Sequence, residues 1–355
     1  MKRILITGGA GFVGANLSIF LKEHLSDCHI IAFDNLHRRG SELNLRRLQQ
    51  YGIEFVHGDI RNISDIQNIS ACDWLIECSA EPSVLAGYSS SSEYLLHSNL
   101  TGALNCLQWA KEHKAGFLFL STSRVYPYSL INSLPFVENE TRYQINTKET
   151  LPLGISEKGI SEKFPIDGNR TLYGATKLAV ELILEEYKEM YNLPIIINRC
   201  GIIAGPWQMG KIDQGVVALW LAHHIVEKPI AYIGFNGTGK QVRDLLDIQD
   251  LCHLLLWQIQ NYEKLNHWKF NIGGGQKRSF SLVELTTLCQ QITKNTIPIT
   301  REFQTRPGDI PYYITDTTLI ETVSPWEPIQ TLEQTLVNIA EWICEYKNLL
   351  SGILF

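Results

Sequence analysis

The sequence lacks several features that would assign it quickly to a large class. No apolar run approaches the roughly 20 residues that a membrane-spanning helix needs, so no membrane partner is expected. Basic charge is in deficit, with 31 Lys and Arg against 37 Asp and Glu for a net charge of −6. Proteins that grip duplex nucleic acid usually present a basic face, so no nucleic-acid partner is expected either. The eight cysteines, at 28, 72, 78, 106, 200, 252, 289 and 344, contain no CxxC pair. Most sit in apolar segments such as Trp74-Leu75-Ile76-Glu77-Cys78 and read as small buried hydrophobes. No metal site or disulfide is therefore expected. Internal repeats and low-complexity tails are absent. The stretch Ile4-Leu5-Ile6 is too short for the apolar core of a signal peptide and reads as a first strand. The expected location is the cytoplasm.

What is present is an alternation. Short β-like runs at Lys2–Thr7, His29–Asp34, Ile53–His57, Trp74–Cys78 and Phe117–Ser121 are separated by helix-like stretches. Those stretches lie near Val13–His24, Asn44–Tyr51, Ser64–Ile69 and Leu95–His113. The pattern predicts an α/β fold built on a doubly wound parallel sheet, with ligands at the carboxyl ends of its strands. The polar stretch Asn132–Asn169 is long for a loop and should frame a site. A helix over Tyr173–Tyr191 and a strand over Pro194–Arg199 follow, after which the alternation loosens. The expected division is residues 1–200, with a contribution from 243–265, as a nucleotide-binding domain. Residues 201–355 form a smaller C-terminal substrate domain.

The first strand runs directly into Thr7-Gly8-Gly9-Ala10-Gly11-Phe12-Val13-Gly14. In a dinucleotide loop Gly8 permits the tight turn, and Gly11 lets the backbone N–H groups of Gly8–Phe12 approach a pyrophosphate, with Val13 a further cofactor contact. Gly14 lets the helix pack close to the sheet. Asp34 ends the second strand, where a carboxylate accepts bonds from the ribose hydroxyls and repels a 2′-phosphate. NAD is thus the expected cofactor, although Arg38, with His37 and Arg39, brings positive charge close by. Asn35 adjoins the same strand end, and Asp59 and Ile60 at the third strand end are candidates for the adenine. Further strand-end candidates for cofactor contact are Ser79, Ala80, Ser121 and Cys200.

Tyr173 and Lys177 stand at i and i+4, which shares a helix face. An ammonium beside a phenol stabilises the phenolate, so Tyr173 can serve as a general base at cellular pH. Leu120-Ser121-Thr122-Ser123-Arg124 ends a strand upstream and offers hydroxyls to the same substrate oxygen.

These residues, in this order and with Asn99 in Asn99-Leu100-Thr101-Gly102, resemble the extended short-chain dehydrogenase/reductase family. Within it the resemblance is to the NAD-dependent sugar-nucleotide epimerase/dehydratase group. It implies a retained NAD, a nucleotide-diphosphate sugar as substrate, and Thr122, Tyr173 and Lys177 as the catalytic set. Asn99 is implied as a cofactor contact. Arg243 and Arg306 are implied as phosphate-binding arginines, with Ser123, Arg124, Gln208 and Gln214 lining the sugar or base. Helices pairing across a four-helix interface imply a homodimer or homotetramer.

Phe33-Asp34-Asn35-Leu36, Glu140-Thr141-Arg142-Tyr143, Asp213-Gln214-Gly215 and Gly239-Lys240-Gln241-Val242-Arg243-Asp244 look more like CDP-sugar 2-epimerases than UDP-galactose 4-epimerases. A CDP-sugar is the favoured substrate on that resemblance. A 4-epimerase or an NAD(P)-dependent reductase on a UDP-, GDP- or dTDP-sugar is the alternative, and a non-catalytic NAD-binding scaffold is a third. The sequence departs from relatives in three places. Glu77-Cys78-Ser79-Ala80-Glu81 stands where many have a His-Leu-Ala-type segment. Ser123-Arg124 replaces the acidic pair of the 4,6-dehydratases. Ile202 stands where 4-epimerases often place Asn.

Overall fold

A computed structural model describes residues 2–88, 91–210 and 215–355. Its largest sheet has seven strands. The first five along the chain are β1 (Lys2–Thr7), β2 (Cys28–Asp34), β3 (Glu54–His57), β4 (Trp74–Glu77) and β5 (Gly116–Thr122). The spatial order is Lys269–Ile272, Ile195–Cys200, β5, β4, β1, β2, β3. β3, β2, β1, β4 and β5 pair in parallel in that order. The direction of winding reverses between β1 and β4, which is the crevice where such sheets bind ligands. The expected strands therefore form, with ends shifted by at most one residue.

The inner strands β2, β4 and β5 are largely buried on both faces, as a sheet covered by helices requires, while the edge strand β3 is partly exposed. All seven residues of β5 are buried. One face packs Leu5, Ile31, Phe33, Leu75, Phe117 and Phe119 against Trp109, Val180 and Leu184. Each such side chain contributes about 1.5–3 kcal/mol of transfer free energy. Gly116 opens β5 because the Trp74 ring lies 2.6 Å from where a Cβ would stand.

The chain divides into two compact units: Met1–Val125, Leu172–Arg199 and Cys252–Phe270 make one, and Tyr126–Thr171, Cys200–Leu251 and Asn271–Phe355 the other. The sequence-based division at residue 200 kept 126–171 with the first unit, whereas these residues fold into the second. They are not one long loop. Two short hairpins pair Phe136–Glu138 with Tyr143–Ile145 and Ile155–Ser156 with Gly159–Ile160. The hydrogen bonds from Ile160 N–H to Ile314 O and from Tyr143 N–H to Lys240 O fix them.

The rest of the second unit is built on Ile202–Ala204, Val242–Asp247 and Ser279–Ser281. Ser281 and Glu284 form a capping box at the start of the helix Leu282–Thr293, and Arg142 pairs with the same Glu284. Trp220 is buried and donates its indole N–H to Thr286 Oγ1 at 3.0 Å. Trp207 rests on Trp342 and Tyr346.

One expected helix is interrupted. Leu95–His113 resolves into Glu93–Leu96, a π-helical turn over His97–Gly102, and Ala103–His113. The wider turn buries Asn99 to 1% exposure, and π-turns of this kind recur at functional sites. All eight cysteines are free, and six of them are buried; Cys78 is half-buried and Cys344 is exposed. Among the described residues no helix is long and apolar enough to cross a membrane.

Candidate active site

In the first unit the glycine loop has the shape its spacing predicts. Gly8 adopts φ +63°, and Gly11 N–H donates to Gly8 O at 2.9 Å. A Cβ on Gly14 would stand 2.1 Å from Gly8 O, and one on Gly8 would stand 2.8 Å from Cys78 O. The loop thus closes tightly on the start of helix α1 (Phe12–His24) and on the segment after β4 that carries Ser79 and Ala80. Helix α1 has Gly11 at its N-cap, no side chain capping it and no acid in its first turn. Its first N–H groups, those of Phe12 and Val13 included, are therefore left to an anion. A cradle that any Cβ would fill, at an uncapped helix start, fits the pyrophosphate of NAD.

Asp34 follows at the end of β2. Its Oδ2 accepts Ala10 N–H at 3.1 Å and its Oδ1 accepts Leu36 N–H at 2.7 Å. Burial pushes its carboxyl above the ordinary value, while the N–H donors of Leu36, Ala10 and Gly11 oppose the rise. Asn35 donates to Asp59 at 2.9 Å. Burial would also raise Asp59, but Arg61 and Asn35 outweigh it and hold the group at about 2. Arg38 adjoins this strand end, its carbonyl accepting from Ser41. Ile60 is buried under Gly102.

The catalytic candidates also gather in this unit. Thr122, the last residue of β5, is 7% exposed, and its Oγ1 accepts Arg124 N–H at 3.2 Å. Helix Leu172–Tyr191 starts against this turn: a Cβ on Gly174 would stand 2.1 Å from Arg124 O. Tyr173 is thereby brought to the turn formed by Ser123 and Arg124. Lys177 points under the strand ends, donating to Leu120 O at 3.0 Å with its Nζ 4.4 Å over the Phe119 ring.

Two candidates are occupied by the protein itself. Ser121 donates to Glu181 at 2.5 Å, and Arg199 grips the same carboxylate through Nε and Nη2. Ser121 is therefore tied into a buried network. The Asn99 amide bonds to Glu81 in both directions, with Nδ2 to Glu81 O at 3.0 Å and Glu81 N–H to Oδ1 at 2.8 Å. It braces the loop after β4. Glu81 itself accepts Ser83 N–H at 3.1 Å, as a turn carboxylate does. Cys200 is buried.

In the second unit Arg243 reaches the turn that Arg306 begins. Its Nη2 donates to Asp309 Oδ1 at 3.0 Å and to Ile310 O at 2.8 Å, and Asp309 N–H closes the turn on Arg306 O at 3.2 Å. Arg243 thus braces the turn that begins at Arg306. Gln208 donates to Ile203 O at 2.9 Å. Gln214 lies outside the described residues.

Sequence reasoning missed Glu77, which lies 3.4 Å from Lys177 Nζ at 0% exposure. It also missed Glu181 with Arg199, and Asp309 with Arg243. The available signal was a lone carboxylate ending an otherwise apolar strand, and a second one turn beyond Lys177.

Comparison with known proteins agrees with this geometry. A family model described as the NAD dependent epimerase/dehydratase family matches residues 4–273. The chain is 29% identical over 351 residues to a CDP-paratose 2-epimerase of Salmonella typhi, covering 96% of this chain and 98% of that one. It is 25% identical over 371 residues to a dTDP-glucose 4,6-dehydratase of Haemophilus influenzae, covering 96% and 98%. A solved UDP-glucose 4-epimerase of Thermotoga maritima with UDP-glucose shares the fold at TM-score 0.78, with 24% identity over 98% of this chain and 100% of that one.

Proposed function

The chain belongs to the NAD dependent epimerase/dehydratase family, and from that premise we propose that it inverts C2 of a CDP-sugar of the CDP-paratose/CDP-tyvelose type through a transient keto sugar. The observation that carries the reading is the packing of the helix start, at Gly174 beside Tyr173, against Arg124 O just after Thr122, with Lys177 Nζ bonded to Leu120 O of β5. Ser123-Arg124 follows Thr122 in place of an acidic pair, which speaks against water elimination. The likeness to a CDP-paratose 2-epimerase supports the carbon and the nucleotide.

In this reading the first unit binds NAD and the second binds the sugar nucleotide. NAD supplies a reversible hydride acceptor beside the sugar carbon. Backbone N–H groups at Phe12 and Val13 would hold its pyrophosphate, with Gly11 allowing the close approach, and Asp34 would accept from its ribose. Tyr173 removes the sugar hydroxyl proton and later returns it. Thr122 donates to the same oxygen, and Lys177 favours the phenolate and orients the nicotinamide ribose. Arg243 and Arg306 clamp the substrate pyrophosphate while the sugar turns over. No net oxidation results.

The protein works in the cytoplasm, whose reducing environment suits eight free thiols. It pairs as a homodimer or homotetramer; exposed Leu182, Met190 and Tyr191 on one helix support this.

The test is incubation with CDP-paratose. Formation of CDP-tyvelose without accumulation of NADH is expected. No CDP-tyvelose and no change in NAD absorbance would exclude the reaction. A 4-epimerase reading draws on the likeness to UDP-glucose 4-epimerases, and UDP-glucose in the same assay decides it.

A further inference from the structure

Glu77 has no role in the mechanism above, yet it sits beside the catalytic lysine. It ends β4, a strand whose four residues are all buried. A carboxylate there is costly unless a cation meets it. Lys177 meets it, with Nζ 3.4 Å from Glu77 Oε2, both side chains almost without solvent contact.

The other groups facing Glu77 can be named element by element. Thr7 stands opposite it on β1. The Ser79 backbone N–H lies in the following turn and favours the ionised carboxylate. Cys106, from the helix Ala103–His113, is buried, and its thiol is pushed well above its ordinary value, first by burial and then by the Glu77 charge. Leu120 O and the Phe119 ring approach Lys177 from β5. Lys177 is the cation of this set. Burial pushes the Glu77 carboxyl up, and Lys177 opposes that rise.

An ammonium alone beside Tyr173 would favour the phenolate strongly. Epimerisation asks for more balance, because one phenol must take a proton and then give it back. A group whose proton affinity matches the working pH serves both directions.

We propose that Glu77 is a positioning residue, an ionised counter-charge behind Lys177 that raises the pH at which Tyr173 gives up its proton. The proposal rests on Tyr173 as the base, but not on the identity of the sugar.

The test is a pH titration of phenolate absorbance in the near ultraviolet on the NAD-loaded protein. Each variant is compared with its Tyr173→Phe counterpart, so that only Tyr173 is read. Glu77→Gln lowers the midpoint by about one pH unit or more, the size expected for removal of one nearby charge. Glu77→Met has similar reach and no charge, and it shows the same fall if the Gln variant folds poorly. Glu77→Asp keeps the charge and stays near the wild-type midpoint. An unchanged or raised midpoint in the uncharged variants overturns the proposal. Because no sugar is added, failure of CDP-sugar turnover with a Glu77-dependent titration would discard the substrate reading alone.

Discussion

In the first unit Lys177 and Arg199 are 2% and 3% exposed, and each faces a carboxylate with no exposure at all. In the second unit Arg243 and Asp309 pair at 14% and 22% exposure. The first arrangement fixes groups in place, since a buried charge without its partner is strongly unfavourable. The second leaves a cation where an incoming anion can compete for it. Machinery that must not move is held by buried pairs and by glycines whose backbone tolerates no Cβ. On the proposed reading, recognition of the substrate is left to partly exposed side chains such as Arg243.

Substitutions sharpen or break that contrast. Arg199→Met leaves Glu181 buried without its cation and should destabilise the protein by about 3–5 kcal/mol, read by urea unfolding. A loss under about 1 kcal/mol would put this pair in the class of exposed ones.

Gly14→Ala sets a methyl group 2.1 Å from Gly8 O and should weaken NAD binding by about 100-fold or more, roughly 2.7 kcal/mol, by calorimetry. Near-normal affinity would show that the loop can shift, against the rigid cradle.

Arg243→Met should raise KM for the sugar nucleotide about 10- to 100-fold, the scale of one charge-assisted hydrogen bond. Its effect on stability should be about 1 kcal/mol or less. A large loss of stability with KM unchanged would make this arginine a structural brace like Arg199.

The smallest effect is that of Asp59, held at about 2 in the fold, where the Arg61 and Asn35 hydrogen bonds outweigh burial. Its folded value lies below the unfolded one near 3.9. Its contribution is therefore complete above about pH 4 and fades as pH falls toward about 2. Unfolding curves of wild type and Asp59→Asn should converge over that interval. A gap that persists at pH 2 would mean the carboxylate charge is not what stabilises this strand end.

The same contrast explains what could be read from sequence. Gly8, Gly11 and Gly14 were legible because close backbone approach demands glycine at fixed spacing, and Tyr173 with Lys177 because i, i+4 shares a helix face. The ends of the six strands expected in the sheet came within one residue, because the inner strands give nearly continuous apolar runs, whereas the edge strand Lys269–Ile272 was not expected. What was not legible depends on pairs distant in sequence. Glu77 and Lys177 are 100 residues apart, and Ser121 points at Glu181, 60 residues away. The break at His97–Gly102 follows from Asn99 reaching the Glu81 backbone, which no helical periodicity records. The hairpins in 136–160 are too short for a period-2 pattern, and their anchors, Lys240 and Ile314, lie far along the chain.

The most direct test of the central claim uses CDP-paratose carrying deuterium at C2, incubated with the NAD-loaded enzyme in ordinary water. Hydride removal and return at one carbon predicts CDP-tyvelose that keeps its deuterium at C2. Product with hydrogen at C2 would mean exchange with solvent and would contradict the mechanism.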